Sequence, residues 1–199
     1  MTGQKVKKMK FNEKKTKNMI FNFTKKIQFT TDLKVNEKDV EVVNETKLLG
    51  TYITDDLKWD KNTSEIVKKG FRRMQILNKA AKFTSNIHDL KKIYMTYIRS
   101  ILEQSAVVWH SSLTRKNTKD LERVQKVAVR VILGKHYNNY KDGIIKLNIE
   151  KLEKRRENIC LKFAKNCLMN NKVKNIFPRK INLHMMNMRK KTTFKKKKN

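Results

Sequence analysis

The apolar residues of this chain change their spacing at Trp59. Before it they come in short runs or alternate with polar neighbours, the pattern of strands. After it they recur every three or four residues, the pattern of helices with one buried face. This order predicts an α+β fold, predominantly α: a small antiparallel β-hairpin region followed by a helical bundle.

Met19-Ile20-Phe21-Asn22-Phe23 reads as a strand. Leu33-Lys34-Val35 and Val40-Glu41-Val42 flank the polar turn Asn36-Glu37-Lys38-Asp39 and read as a hairpin. Leu48 to Ile53 reads as a further strand, in which Gly50 marks a bulge or a close backbone approach. Such short strands leave open edges and one bare face, so we expect part of a larger sheet domain upstream.

Asp60 or Thr63 is expected to cap the first helix, with Ile66, Val67, Phe71, Met74, Leu77 and Ala81 inward. A second begins near Asn86 or His88, with Leu90, Ile93, Tyr94, Tyr97, Ile98, Ile101 and Leu102 as its stripe. Thr114 caps a third, with Leu121, Val124, Ala128, Val131 and Ile132 inward and Gly134 as its stop. A short helix over Tyr140–Leu147 precedes one from about Glu150 to Met169, with Leu152, Ile159, Phe163, Ala164 and Cys167 inward. Pro178 ends regular structure.

The charge narrows the function. Lys+Arg is 49 against 18 Asp+Glu, a net charge of +31. A chain this basic repels itself unless an anion is near, so nucleic acid is the first partner class and an acidic membrane surface the second. Residues 1–30 carry +8 and residues 171–199 carry +11, so the ends are far more basic than the middle. The closing Lys195-Lys196-Lys197-Lys198 reads as a disordered, solvated arm, or equally as a nuclear localisation signal or a phosphate-binding arm. Lysine (39) and asparagine (20) both have A-rich codons, so base composition contributes to the excess. The longest run without a charged residue, Gln104–Thr114, is too short for a membrane span. The lysine-rich start does not suit a secretion signal, and two cysteines give no disulfide framework. A cytoplasmic or nuclear protein is expected.

Several runs, in order, resemble one family. Asn12-Glu13-Lys14-Lys15-Thr16, Lys47-Leu48-Leu49-Gly50-Thr51-Tyr52-Ile53, Leu57-Lys58-Trp59, Arg99-Ser100-Ile101-Leu102-Glu103 with Val107-Val108-Trp109-His110, and Leu121-Glu122-Arg123-Val124-Gln125-Lys126 are similar to the C-terminal part of a jockey-like non-LTR retrotransposon reverse transcriptase. Leu48 and Gln104 stand where that family often has an aromatic. The resemblance implies a palm remnant over 1–24, a hairpin and primer-grip region over 25–59, a helical thumb-like domain over 60–177 and a basic tail over 178–199. It implies that Leu49, Gly50 and Tyr52 belong to the primer grip and that Lys15 lies on the nucleotide side.

The family's catalytic aspartates lie upstream of these segments, so no catalytic residue is expected here. Tyr52-Ile53-Thr54-Asp55-Asp56 has the wrong spacing for an aromatic-x-Asp-Asp motif. No cofactor is expected in this chain; Mg2+ is implied for the full-length polymerase. Two cysteines and the scattered His88, His110, His136 and His184 form no metal-ligand spacing. Trp59 and Trp109 are expected as core anchors.

Lys68, Lys69, Arg72 and Arg73 form a basic stripe on the first helix and are the expected contacts to an RNA–DNA or DNA duplex, held without reading its sequence. The expected function is thus a fragment of an RNA-directed DNA polymerase that contributes primer–template binding beside a missing upstream palm. The alternative is a free-standing, non-specific nucleic-acid-binding protein without catalytic activity. A weaker third reading is a helical protein that docks on acidic lipid.

Overall fold

The computed structural model describes residues 12, 15–23, 32–170 and 172–173. Much of the expected palm remnant, and the expected tail 178–199 with Pro178, His184 and the closing lysines, lie outside the described residues. The chain divides into two compact units after Cys160.

The first unit is α+β and mostly helical. Strands β1 (Lys34–Val35) and β2 (Lys38–Asp39) pair antiparallel, as do β3 (Glu45–Leu48) and β4 (Thr51–Thr54). Both hairpins turn on two residues with positive φ: Asn36 and Glu37 at 49° and 66°, Leu49 and Gly50 at 48° and 88°. Two positive φ values in succession reverse the chain in step with the strand twist. The expected four-residue turn therefore contracts to Asn36–Glu37, and the expected single strand Leu48–Ile53 is instead a hairpin broken at Leu49–Gly50. The expected strand Met19–Phe23 does not form. Residues 19–23 carry no strand, and the preceding Asn18 makes an isolated parallel bridge to Val42.

Helix α1 (Asp60–Phe83) starts at Trp59 with no side-chain cap, so neither Asp60 nor Thr63 plays that part. Helix α2 (Ile87–Ile93) is capped by Asn86, whose side chain accepts from the His88 N–H. It runs into a π-helical stretch, Tyr94–Arg99, and then α3 (Ser100–Glu103). After α4 (Ala106–Trp109) comes α5 (Arg115–Leu133), capped by Thr114 and stopped at Gly134. Helices α6 (Tyr140–Lys146) and α7 (Leu152–Met169) follow.

The core is where the stripes of α1, α2, α3 and α5 meet: Leu77, Tyr94, Ile98, Leu102, Leu121 and Val124 are fully buried, with Trp109 beside them. Trp59 is also buried, so both tryptophans are anchors. Val131 and Tyr97 lie further out than their stripes predict.

A buried polar network ties three helical segments, and the loop before α7, to α5. The Tyr94 hydroxyl donates to Gln125 Oε1 (2.5 Å), and Gln125 Nε2 donates to Tyr140 Oη (2.8 Å) and to the Glu150 carbonyl (2.9 Å). The Tyr140 hydroxyl donates in turn to Glu122 Oε1. Burial pushes the Tyr94 hydroxyl pKa up; burial and then the Glu122 bond do the same for Tyr140. Both phenols stay protonated donors. Glu122 also accepts the backbone N–H groups of Leu152 (3.2 Å) and Glu153 (3.3 Å). A carboxylate at the first turn of α7 satisfies orphan donors and opposes the helix dipole.

In α7 the fully buried residues are Leu152 and Arg156, whereas the expected inward residues Phe163 and Ala164 are exposed. Burial is confined to the first turns of this helix. In the second unit the described residues are the rest of α7 and a short turn at Lys172–Val173, with Leu161, Phe163, Leu168 and Met169 exposed.

Candidate nucleic-acid interface

Helix α5 presents a continuous cationic face. Arg115, Lys119, Arg123, Lys126 and Arg130 follow one another at four- and three-residue steps, and all are exposed. At ~100° per residue they fall within about 80° of arc and cover roughly 22 Å of helix. Of the helix's two acids, Asp120 lines the neighbouring cleft, and Glu122, at the edge of this arc, turns its carboxylate into the buried network. Three of the five cations lie over aromatic rings. Arg123 is 5.5 Å from the Phe71 ring centre, Lys126 is 5.5 Å from Tyr140 and Arg130 is 5.4 Å from Tyr137. Such contacts steady long side chains while leaving their charge outward.

Beside this face, α1 and α5 bound an open cleft of about 750 Å³. Lys68, Arg72, Lys116 and Arg123 line it, opposed by Asp60 and Asp120. The four basic residues expected on α1 do not share one face. Lys68 and Arg72 face this cleft, and Lys68 also pairs with Glu65 at 2.9 Å. Arg73 donates through Nη1 to the Tyr97 carbonyl of the π-helical stretch, at 2.8 Å. Lys69 is half-buried and does not line the cleft. Consecutive helical residues diverge by ~100°, so two i, i+4 pairs offset by one residue cannot share a face. The α5 stripe was missed in the sequence, although its spacing is visible there.

The expected primer-grip residues lie on the second hairpin. Leu49 is exposed at the tip, 89% accessible. A Cβ on Gly50 would come within 2.7 Å of the Gln104 side chain, so a side chain there meets both a positive φ and a neighbour. Tyr52 is half-buried on β4, its N–H donating to Asn62 Oδ1, with the Lys47 and Lys61 ammonium groups over its ring. Lys15 is exposed, and its backbone N–H donates to the Asn12 carbonyl. Of the expected binding, primer-grip and nucleotide-side residues, Lys68 and Arg72 line the cleft.

Asp55 and Asp56 form the turn before α1. Asp56 accepts from the Thr54 hydroxyl (2.7 Å), the Lys58 N–H (3.0 Å) and the Lys58 ammonium (2.8 Å). The Lys58 bonds come first among the causes that hold its pKa well below the usual carboxylate range. A carboxylate already occupied by a lysine does not suit a Mg2+ ligand, and a two-ion site needs further carboxylates. No group of three or more metal-ligating side chains occurs among the described residues. No described helix is long and apolar enough to cross a membrane.

The other runs singled out in the sequence have structural roles. Glu103 pairs with Arg155 at 2.5 Å and with Arg99 at 3.5 Å, locking α3 to α7. Trp109 Nε1 donates to the Gln104 carbonyl. Comparison of the chain with protein-family models, curated proteins and solved structures gives no match.

Proposed function

We propose that this chain is the late-palm, primer-grip and thumb portion of a non-LTR retrotransposon reverse transcriptase, and that it holds the primer–template duplex by its phosphates. The observation that carries the reading is the α5 stripe of Arg115, Lys119, Arg123, Lys126 and Arg130 beside the cleft cations Lys68 and Arg72. Cations spaced along one rigid helix suit a backbone of regularly spaced charges and carry no base recognition. The family part of the reading rests on the ordered sequence runs.

In this reading nucleotide addition belongs to the upstream palm, with its aspartates and Mg2+, and the chain alone does not polymerise. It works where nucleic acid is found, in the cytoplasm or the nucleus.

The test is binding of the full chain to a labelled RNA–DNA primer–template, a blunt DNA duplex and a single strand across a salt series. Steep salt dependence with preference for the primer–template supports the polymerase reading. Equal binding to all three reduces the function to non-specific nucleic-acid binding. A flat salt response overturns both.

A further inference from the structure

We propose that the α1–α5 cleft takes an unpaired nucleotide where a strand leaves the duplex, with the base against Phe71 and Arg123 and the phosphate toward Arg72 and Lys116. This rests on the duplex-holding reading and adds to it a second subsite, which shares Arg72 and Arg123 with the duplex face. The cleft, at about 750 Å³, is of the size of a small-ligand site.

Its walls are chemically mixed. Phe71 and Val67 give an apolar floor, Arg72 and Lys116 supply positive charge, and Asp60 and Asp120 supply acceptors. A plain phosphate site would gain nothing from two carboxylates, and an apolar ligand nothing from the cations. A nucleotide uses all three: a flat face to stack, N–H groups for carboxylates, and an anionic phosphate. Arg123 lies over the Phe71 ring at 5.5 Å and is itself exposed, and unpaired bases stack on both aromatic rings and guanidinium planes.

A second observation points the same way. Thr63 lines the cleft, is 2% exposed, and its hydroxyl finds no hydrogen-bond partner among the described residues. A buried hydroxyl without a partner is costly to folding and is kept where something else uses it. A turn of this side chain about its χ1 bond would bring the hydroxyl to a base edge or a sugar hydroxyl.

The experiment compares, on the full chain, a labelled blunt duplex with the same duplex carrying a few unpaired nucleotides at one end. The extension is expected to tighten binding about tenfold, within what base–aromatic stacking supplies. Thr63→Val is expected to lose most of that gain, to leave blunt-duplex binding unchanged, and to melt no lower than the parent protein. Thr63→Ser keeps the gain, and Phe71→Leu loses it without removing the apolar floor. Equal affinity for blunt and extended duplexes overturns the proposal, as does a gain that survives both Thr63→Val and Phe71→Leu. Failure of the blunt duplex to bind, with single strands still bound in the cleft, overturns the duplex reading and leaves this one standing.

Discussion

The guanidinium of Arg156 lies 5.7 Å from the ring centre of Trp109, and both side chains are fully buried. Its Nε lies 3.5 Å from His110 Nδ1, while Nη1 and Nη2 have no partner among the described residues. Burial lowers the arginine's pKa, and Glu122, Glu153 and Glu103 oppose that from a distance. A buried charge with this little direct compensation contributes packing more than electrostatic stability. Arg156→Met keeps most of the volume and removes the charge, so the urea midpoint should hold or rise. Arg156→Ala leaves a cavity and should cost about 2–4 kcal/mol. Equal losses for Met and Ala would mean that the charge itself stabilises the fold.

His110 faces the same arginine. Burial first, then the Arg156 charge, pull the imidazole pKa below its usual value, against a weaker opposite pull from Glu153 and Glu157. The folded protein therefore holds this histidine neutral at a pH where the unfolded chain would already protonate it. Its contribution to stability is present above the unfolded value of about 6.5 and fades as pH falls below it, with a slope of up to ~1.4 kcal/mol per pH unit. Denaturation midpoints measured from pH 7.5 down to 5.5 should show that decline, and His110→Gln should flatten it. An unchanged profile in the variant would assign the decline to another group.

Glu122 serves two masters, the Tyr140 hydroxyl and the first N–H groups of α7. Glu122→Gln keeps the shape but loses the charge facing the helix dipole, and should cost about 1–2 kcal/mol. Glu122→Ala strands both donor sets and should cost about 3 kcal/mol. Because Tyr140 and Glu122 share one network, the loss from Tyr140→Phe should not add fully to that from Glu122→Ala. Additive losses in a double-mutant cycle would show that the two bonds are independent.

Where the side-chain pattern decides the structure, the sequence is readable. The α1, α2 and α5 stripes, the Asn86 and Thr114 caps and the Gly134 stop follow from helical spacing and cap chemistry. The first hairpin is read with its turn too long and the second is read as one strand, because Asn36 and Gly50 suit a positive φ but their turn partners Glu37 and Leu49 do not. The burial of Arg156 is equally hidden, since an arginine between Leu152 and Cys160 reads as surface. In the candidate site, Lys68 and Arg72 were legible by type. The α5 stripe was hidden by abundance: with 49 basic residues in the chain, five of them at helical spacing do not stand out until their exposure is known.

Gly143 sets how closely α6 can approach α5. A Cβ there would lie 2.5 Å from Val129 Cγ1 and 3.3 Å from Leu133 Cδ1, both in the packed interior. Gly143→Ala gains helix propensity of about 1 kcal/mol but must push α6 outward, and overpacking costs about 1–3 kcal/mol. The net change should be destabilising. It should also disturb the Tyr140 contact to Gln125, one turn away, visible as faster amide exchange at the start of α7. A stabilised Gly143→Ala protein would mean that α6 shifts freely.

The α5 stripe makes the most direct prediction about function. Each phosphate neutralised by the protein contributes roughly −0.9 to the slope of log affinity against log salt on B-DNA. Reversing Arg115, Lys119 and Lys126 to Glu should therefore make the slope shallower by about 2–3 and weaken blunt-duplex binding similarly for unrelated sequences. These three side chains are exposed on the helix surface, so the fold should survive the change, which circular dichroism can check. Reversal of Lys69 and Arg73 should move the slope much less, because Arg73 is engaged with the Tyr97 carbonyl and Lys69 is half-buried away from the cleft. If the α5 reversal leaves the slope intact, the phosphates are held elsewhere in this chain, and the helix that looks most like a duplex rail is only a solvated face.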